Sequence, residues 1–396
     1  MFFNTYFFSK TYSFWQSYLK PKKTWFLPSS SDIIIVDESG SGSIVPYLEN
    51  LKVTIIYTRG ENINFPCFIY AVILRIFKFD CFYVSYIGAY IKLTSPKLLI
   101  TFIDNNPSFY KLSNYFPNIK TVFIQNGHRT VYLDIFESLS FNKKQHVDYM
   151  LVFGNAVGEL YSKYIGGNVI PIGSLKNNSI SRNSYFSNKE KNKVVFISEF
   201  KAKKSDGSFL PTYGIEHDLF YKAEKEILTF LSQWCLANNF KLEICGRSPL
   251  EESDIEFTFF KQILPSFSFE FFKKESTLSS YSCIDKAEIV VNVDSSLGYE
   301  SLSRGNKTAC FAIRSEILGW KDLCFGWPNK LPVCGPFWTN EIDTNQFENI
   351  MNYLKNVSDK EWKNVVSEIL SDDIILYDDG NTKFKELISA FFAKSH

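Results

Sequence analysis

The residues best equipped for chemistry stand together at Asp294, Ser295 and Ser296, followed by Leu297, Gly298 and Glu300 in the run VDSSLGYESLSRGNK. Two serines ahead of a helix offer hydroxyls, and the first backbone N–H groups, that of Leu297 among them, point out at the positive end of the helix dipole. Such a cradle suits phosphate. Gly298 lets a ligand or backbone come close, and Glu300, about a turn in, can accept hydrogen bonds from the hydroxyls of a ribose. The same residues have a plainer use: serines cap helices of every kind, and Glu300 with Arg304 makes an i,i+4 pair suited to a solvated face.

Further candidates are carboxylates and one imidazole. Glu159 follows the strand and turn FGNAVG, while Glu199, Asp206 and Asp218 follow the strand VVFISEF. Two carboxylates on either side of a scissile bond can act as acid/base and nucleophile. Asp218, in GIEHD, is equally placed to cap the helix it opens, and Glu159 suits a helix surface. His128, in IQNGHRT, stands in a loop at the carboxyl end of a strand, where a general base or a phosphate-neutralising cation is useful. A histidine beside Asn-Gly also serves as an ordinary turn residue.

These groups need elements to hold them. Buried β-branched runs predict a strand and loop over 32–43, strands over 51–60 and up to Asp104, a strand and loop over 119–127, and strands over 147–154 and 168–173, alternating with helical stretches. The alternation resumes at 193–200, 241–247, 269–272 and 289–293, and closes at 307–313. Strands alternating with helices mean parallel sheets covered on both faces. The expected divisions are an aromatic and basic arm (1–31), a first Rossmann-like domain (32–176), a linker rich in Asn, Ser and charge (177–192), a second Rossmann-like domain (193–341) and C-terminal helices (342–396). Residues 314–340, rich in Gly, Pro and Trp, are expected as loop.

A chain of 396 residues with 45% hydrophobic and 21% charged residues suits two packed domains. A formal net charge of +1 excludes a general nucleic-acid binder, which needs a basic face. The eight cysteines form no CxxC and the four histidines are scattered, so no metal and no cofactor is expected, and the thiols point to a reducing, cytoplasmic compartment. Residues 1–20 lack the basic start and uninterrupted apolar core of a signal peptide. Their crowded Phe, Tyr and Trp residues with Lys20, Lys22 and Lys23 suit either a membrane surface, in which case the protein would be peripheral to the inner membrane, or packing on the first domain.

Two doubly wound domains facing a cleft, with helices at the end, describe the GT-B architecture. The series FGNAVGELY, VIPIGSLKNN, VVFISEF, LEICGR and VDSSLGYESLSRGNK resembles bacterial surface-carbohydrate biosynthesis enzymes, including the retaining β-Kdo transferase modules that build lipopolysaccharide O-antigen or capsule. The resemblance spans roughly residues 120–313 and implies a CMP-β-Kdo donor and a glycan or lipid-linked oligosaccharide acceptor. It also places Ser295, Ser296 and the amides after them on the phosphate, Glu300 on the ribose and Arg247 near the donor's anionic groups; an ion pair with Glu251 or Glu252 is the local alternative for Arg247. Retention implies a carboxylate nucleophile, for which Asp218 is the choice, with Glu159 or His128 handling the acceptor proton. A CDP-polyol, UDP-sugar or GDP-sugar donor and a non-catalytic glycan-binding scaffold are the competing readings.

Overall fold

The computed structural model describes residues 22–77, 81–131, 134–139, 145–182, 189–202 and 215–393. Asp206, the first 21 residues of the expected arm and residues 183–188 of the expected linker lie outside the described residues. Among the described residues there are fourteen strands: β1 (Lys22–Thr24), β2 (Ile33–Val36), β3 (Val53–Ile56), β4 (Asn62–Asn64), β5 (Leu98–Thr101), β6 (Lys120–Ile124), β7 (Gln145–Val152), β8 (Ile165–Pro171), β9 (Lys193–Ile197), β10 (Lys241–Cys245), β11 (Glu270–Phe272), β12 (Ile289–Asn292), β13 (Thr308–Phe311) and β14 (Trp338–Thr339).

They build two six-stranded parallel sheets, ordered β3-β2-β5-β6-β7-β8 and β11-β10-β9-β12-β13-β14, with β1 and β4 as a separate parallel pair. The inner strands are buried along their whole length, IIIV in β2 and IVVN in β12, because helices cover both faces. In the second sheet the winding direction reverses between β9 and β12, which are hydrogen-bonded neighbours. A reversal of this kind opens a crevice at the carboxyl ends of the two strands. Ser198 and Glu199 leave β9 there, and Asp294, Ser295 and Ser296 leave β12 there. The fold is therefore α/β, with two doubly wound, Rossmann-like units and C-terminal helices.

Two segments differ from expectation. The expected linker begins as packed structure: the helix Leu175–Asn178 buries Asn177 and Asn178, and Asn178 donates to the Ile172 carbonyl at 2.7 Å. The segment expected as loop after residue 313 contains the helix Arg314–Leu318, with Arg314 buried, and the edge strand β14 paired with β13. In both places polar side chains find protein partners instead of water. The chain then returns to the first unit, where Phe384 and Ile388 of the helix Thr382–Ala393 pack with Ile33, Ile35, Leu98 and Ile100.

The helix Ser296–Ser303 lies on β12, and Gly298 is the residue that permits the approach. A Cβ on Gly298 would come within 2.2 Å of the Asn292 side chain, so of the two uses expected of this glycine the close approach of backbone is the one seen here. Gly298→Ala should lose about 1–3 kcal/mol of stability by overpacking. Combining it with Asn292→Ala should cost clearly less than the two single losses added together. Urea denaturation of the four proteins measures this, and strict additivity would show that the two residues do not collide.

Candidate functional site

Ser295 is the N-cap of the Ser296–Ser303 helix, and its hydroxyl accepts the Leu297 N–H at 3.3 Å. Ser296 is turned outward instead. Its hydroxyl accepts the backbone N–H of His128, from the first unit, at 2.7 Å. The helix end thus faces a cleft between the two units, with a cavity of about 460 Å³ that both of them line. Asn126, His128, Thr130 and Lys176 come from one side, and Glu199, Arg247, Asp294 and the cradle residues Ser295, Ser296 and Leu297 from the other.

Cations surround the cradle. Lys176, Lys201, Arg247 and Lys274 all line the cavity. Burial lowers the pKa of Lys176 and Lys201, a bias that an arriving anion would reverse. Arg247 sits past the end of β10. Its backbone N–H is held by Glu256 at 2.9 Å and its guanidinium reaches the Glu199 carbonyl at 3.0 Å, so neither Glu251 nor Glu252 takes it.

Glu300 also lines the cavity, but its carboxylate is already engaged by the hydroxyls of Ser174 and Tyr281, the latter at 2.9 Å. Burial raises its pKa, while those two hydroxyls pull it back. The pairing of Glu300 with Arg304 on a solvated face does not occur. Arg304 is buried and forks onto Asp285, with Nε to Oδ1 at 2.8 Å, and it donates to the carbonyl of Ile180 at 2.9 Å.

The feature that sequence reasoning missed is Arg314. Its guanidinium is buried and donates to three carboxyl groups, Glu199 at 2.7 Å, Asp294 and Glu224. Its outer face lies over the Phe220 ring at 4.1 Å. One positive charge cannot balance three negative ones in a low dielectric, so protons remain. Burial lifts Asp294 well above the usual carboxyl range and Glu224 to about 7, whereas at Glu199 burial is outweighed by Arg314, Asp294 and Arg247 together, which hold it at about 2. Asp294 and Glu199 meet at the same nitrogen of the Arg314 guanidinium. The cleft therefore presents one carboxylate and one neutral carboxyl side by side. The available signal was a single charged residue directly after the buried run TACFAI, in a stretch that otherwise reads as loop.

His128 lines the same cavity, its ring stacked on Tyr299 at 5.2 Å between centroids. Burial lowers its pKa, with Arg129 adding to the shift and the Asp322 backbone opposing it, so the ring is neutral near neutral pH. Two other candidates are elsewhere. Asp218 has a side chain 74% exposed, 3.5 Å from Lys225, and it borders a separate cavity formed with Phe200 and Phe259. It does not reach the cleft, because the helix His217–Phe220 points its first carboxylate outward. Glu159 is exposed on the helix Asn155–Ser162, whose buried side is made by Val157, Leu160 and Tyr161. Among the described residues no cluster of His, Cys, Asp and Glu is placed to hold a metal ion.

Comparison with known proteins adds the following. Residues 122–391, about two thirds of the chain, match the model of a family described as "putative O-antigen biosynthesis protein". A solved structure described as "putative UDP-N-acetylglucosamine 2-epimerase" from Listeria monocytogenes superposes with a TM-score of 0.53 at 12% identity, covering 93% of this chain and 98% of that one. The UDP-GlcNAc 2-epimerase of Methanocaldococcus jannaschii, in complex with UDP-GlcNAc and UDP, gives 0.50 at 9% identity, covering 92% of this chain and 100% of that one. The wall teichoic acid polymerase TagF gives 0.49 at 11% identity, covering 92% and 89%. At such identities the likeness is one of fold, the GT-B type. No curated protein sequence matches.

The Arg314 cluster makes a prediction with a definite sign in pH. Arg314→Met should cost about 3–5 kcal/mol at pH 8, since it leaves buried carboxyls without their cation. Carboxyls whose folded pKa lies above the unfolded value stabilise the fold at low pH and lose that contribution as pH rises through the folded pKa. Raised already at Asp294 and Glu224, these values would rise further without Arg314, so the variant should recover part of its loss between pH 8 and pH 5.5. Guanidinium denaturation at the two pH values measures it; a loss that grows on acidification would contradict the assignment.

Proposed function

The chain belongs to the O-antigen biosynthesis family matched over residues 122–391, and on that premise we propose that it is a glycosyltransferase using a nucleotide-sugar donor held at Ser295, Ser296 and Leu297. The observation that carries this reading is the cavity at the switch point of the second sheet, where a helix N-terminus and four cationic side chains face the first unit across a cleft. The second unit takes the donor and the first the acceptor, a glycan or lipid-linked oligosaccharide. CMP-β-Kdo is the favoured donor. It carries two separate anions, a phosphate for the cradle and a sugar carboxylate for which the fork of Arg247 is suited.

For transfer with retention, a carboxylate attacks the anomeric carbon as CMP leaves, and the acceptor hydroxyl then displaces that carboxylate while losing its proton to a base. Glu199 takes the place first given to Asp218. It is ionised, borders the cavity, and has the low basicity that favours its departure in the second step. His128, neutral and tied through its backbone to Ser296, is the base for the acceptor proton. Glu300, with its partners Ser174 and Tyr281, remains the group for the ribose, and would exchange one of those hydroxyl partners for the ligand.

The test uses purified protein with CMP-Kdo and a truncated lipopolysaccharide acceptor. Glu199→Gln should abolish turnover while CMP still binds, and intact-protein mass spectrometry should show a donor-sized adduct on the unaltered protein only. His128→Gln should lower kcat by about 10²-fold or more. The acid limb of the rate profile should fall below the ordinary histidine value of 6.5, because protonation must overcome the burial of His128, and this limb should vanish in the variant. Full turnover by Glu199→Gln would remove it as nucleophile. Turnover with a CDP-polyol or UDP-sugar and none with CMP-Kdo would replace the donor but leave the site.

A further inference from the structure

The helix Phe65–Phe77 buries Cys67, Ala71 and Leu74 and leaves its opposite side bare of polar groups. Ile69, Val72, Ile73, Ile76 and Phe77 are spaced at i, i+3, i+4, i+7 and i+8, so they form one continuous stripe. All five are exposed, Ile76 at 69% and Phe77 at 82%. A stripe of this kind normally faces a core. Here it faces outward.

Neighbouring segments extend the surface. Trp25, Phe26 and Leu27 are exposed at 60%, 82% and 68%, and they are fixed in place. Asn64 donates to the Phe26 carbonyl at 2.9 Å and caps the helix through the Cys67 N–H at 3.0 Å, while the Trp25 ring packs on Phe65 at 4.7 Å. Phe65, Phe68, Phe82 and Tyr86 continue as a chain of ring contacts onto the next helix, Phe82–Thr94.

We propose that this surface, the outer stripe of the Phe65–Phe77 helix with Trp25, Phe26, Leu27 and Phe82, rests on an anionic lipid bilayer. Charge selects this occupant. The two helices carry no acidic residue, the second contributes Lys92, and the strand leading to Trp25 contributes Lys22. Exposed aliphatic groups, aromatic rings and cations on neighbouring elements are the side chains a headgroup interface takes up. No described helix is long and apolar enough to cross a membrane, which leaves lying on the surface as the mode of contact. The sequence before Lys22 continues the same composition, with Tyr12, Phe14, Trp15, Tyr18, Leu19 and Lys20. The inference is independent of the donor and of the transfer reaction.

The experiment is flotation of the full chain with vesicles of phosphatidylcholine, alone or with phosphatidylglycerol. The unaltered protein should float with the anionic vesicles, less so at high salt, and poorly with the neutral ones. Ile73→Glu with Ile76→Glu should reduce its recovery by about five-fold or more, with no change in urea midpoint because both positions are exposed. Light scattering without lipid covers a second copy as occupant. Equal flotation of the two proteins, failure of the unaltered protein to float, or a lipid-free dimer abolished by the double variant would each overturn the proposal.

Discussion

Four polar side chains on one face of a short helix tie the two sheets together. Ser296, Glu300, Ser303 and the adjoining Arg304 bond to the His128 N–H, the Ser174 hydroxyl, the Asn177 amide and the carbonyls of Asn177 and Ile180. Most of these atoms are buried, and a buried donor or acceptor left alone costs about 1–3 kcal/mol. The two units therefore have one strongly preferred orientation, the one that satisfies all four residues at once. In that orientation the amino end of the helix faces the cleft, so the demand for polar satisfaction and the position of the anion cradle have the same origin.

The opposite wall is held by a second buried network. Arg129 forks onto Asp104, with Nε to Oδ2 at 2.6 Å, and the Tyr161 hydroxyl donates to the same carboxylate. This fixes the loop in which His128 stands, so the imidazole is positioned by its neighbour while its own backbone reaches Ser296. On the second unit Arg314 does the same for Glu199 and Asp294. Both walls thus combine a buried arginine with carboxylates, and both leave a titratable group lining the cavity, His128 on one side and Glu199 with Asp294 on the other. Lys176, Lys201, Arg247 and Lys274 line the cavity beside these groups.

Elements with local causes were legible in the sequence. IIIV, IVVN and TACF are buried β-branched or small apolar runs, and Ser295 has the spacing of a helix cap; each of these is decided within a few residues. What escaped depends on partners brought in from elsewhere in the chain, Ser303 and Arg304 for Asn177 and Glu199 and Glu224 for Arg314 lying 90 or more residues away. Asn177 and Asn178 read as linker by type, yet they are buried by Ser303, Arg304 and the Ile172 carbonyl. Arg314 reads as loop, yet Glu199, Glu224 and Asp294 enclose it. Asp218 failed for a related reason: knowing that a loop leaves the carboxyl end of a strand does not say which way the helix after it will face.

The central claim is that the cleft between Ser296 and His128 holds the phosphate of a nucleotide-activated sugar. The most direct measurement is thermal unfolding of the unaltered protein and of Ser295→Ala with Ser296→Ala, each with CMP, CDP, UDP and GDP. A ligand at 100 times its Kd stabilises by about 2.7 kcal/mol, so the account predicts a rise in Tm of several degrees with a cytidine nucleotide for the unaltered protein and little or none for the variant. The same rise in both proteins would place the nucleotide elsewhere, and no rise with any of the four would contradict the claim.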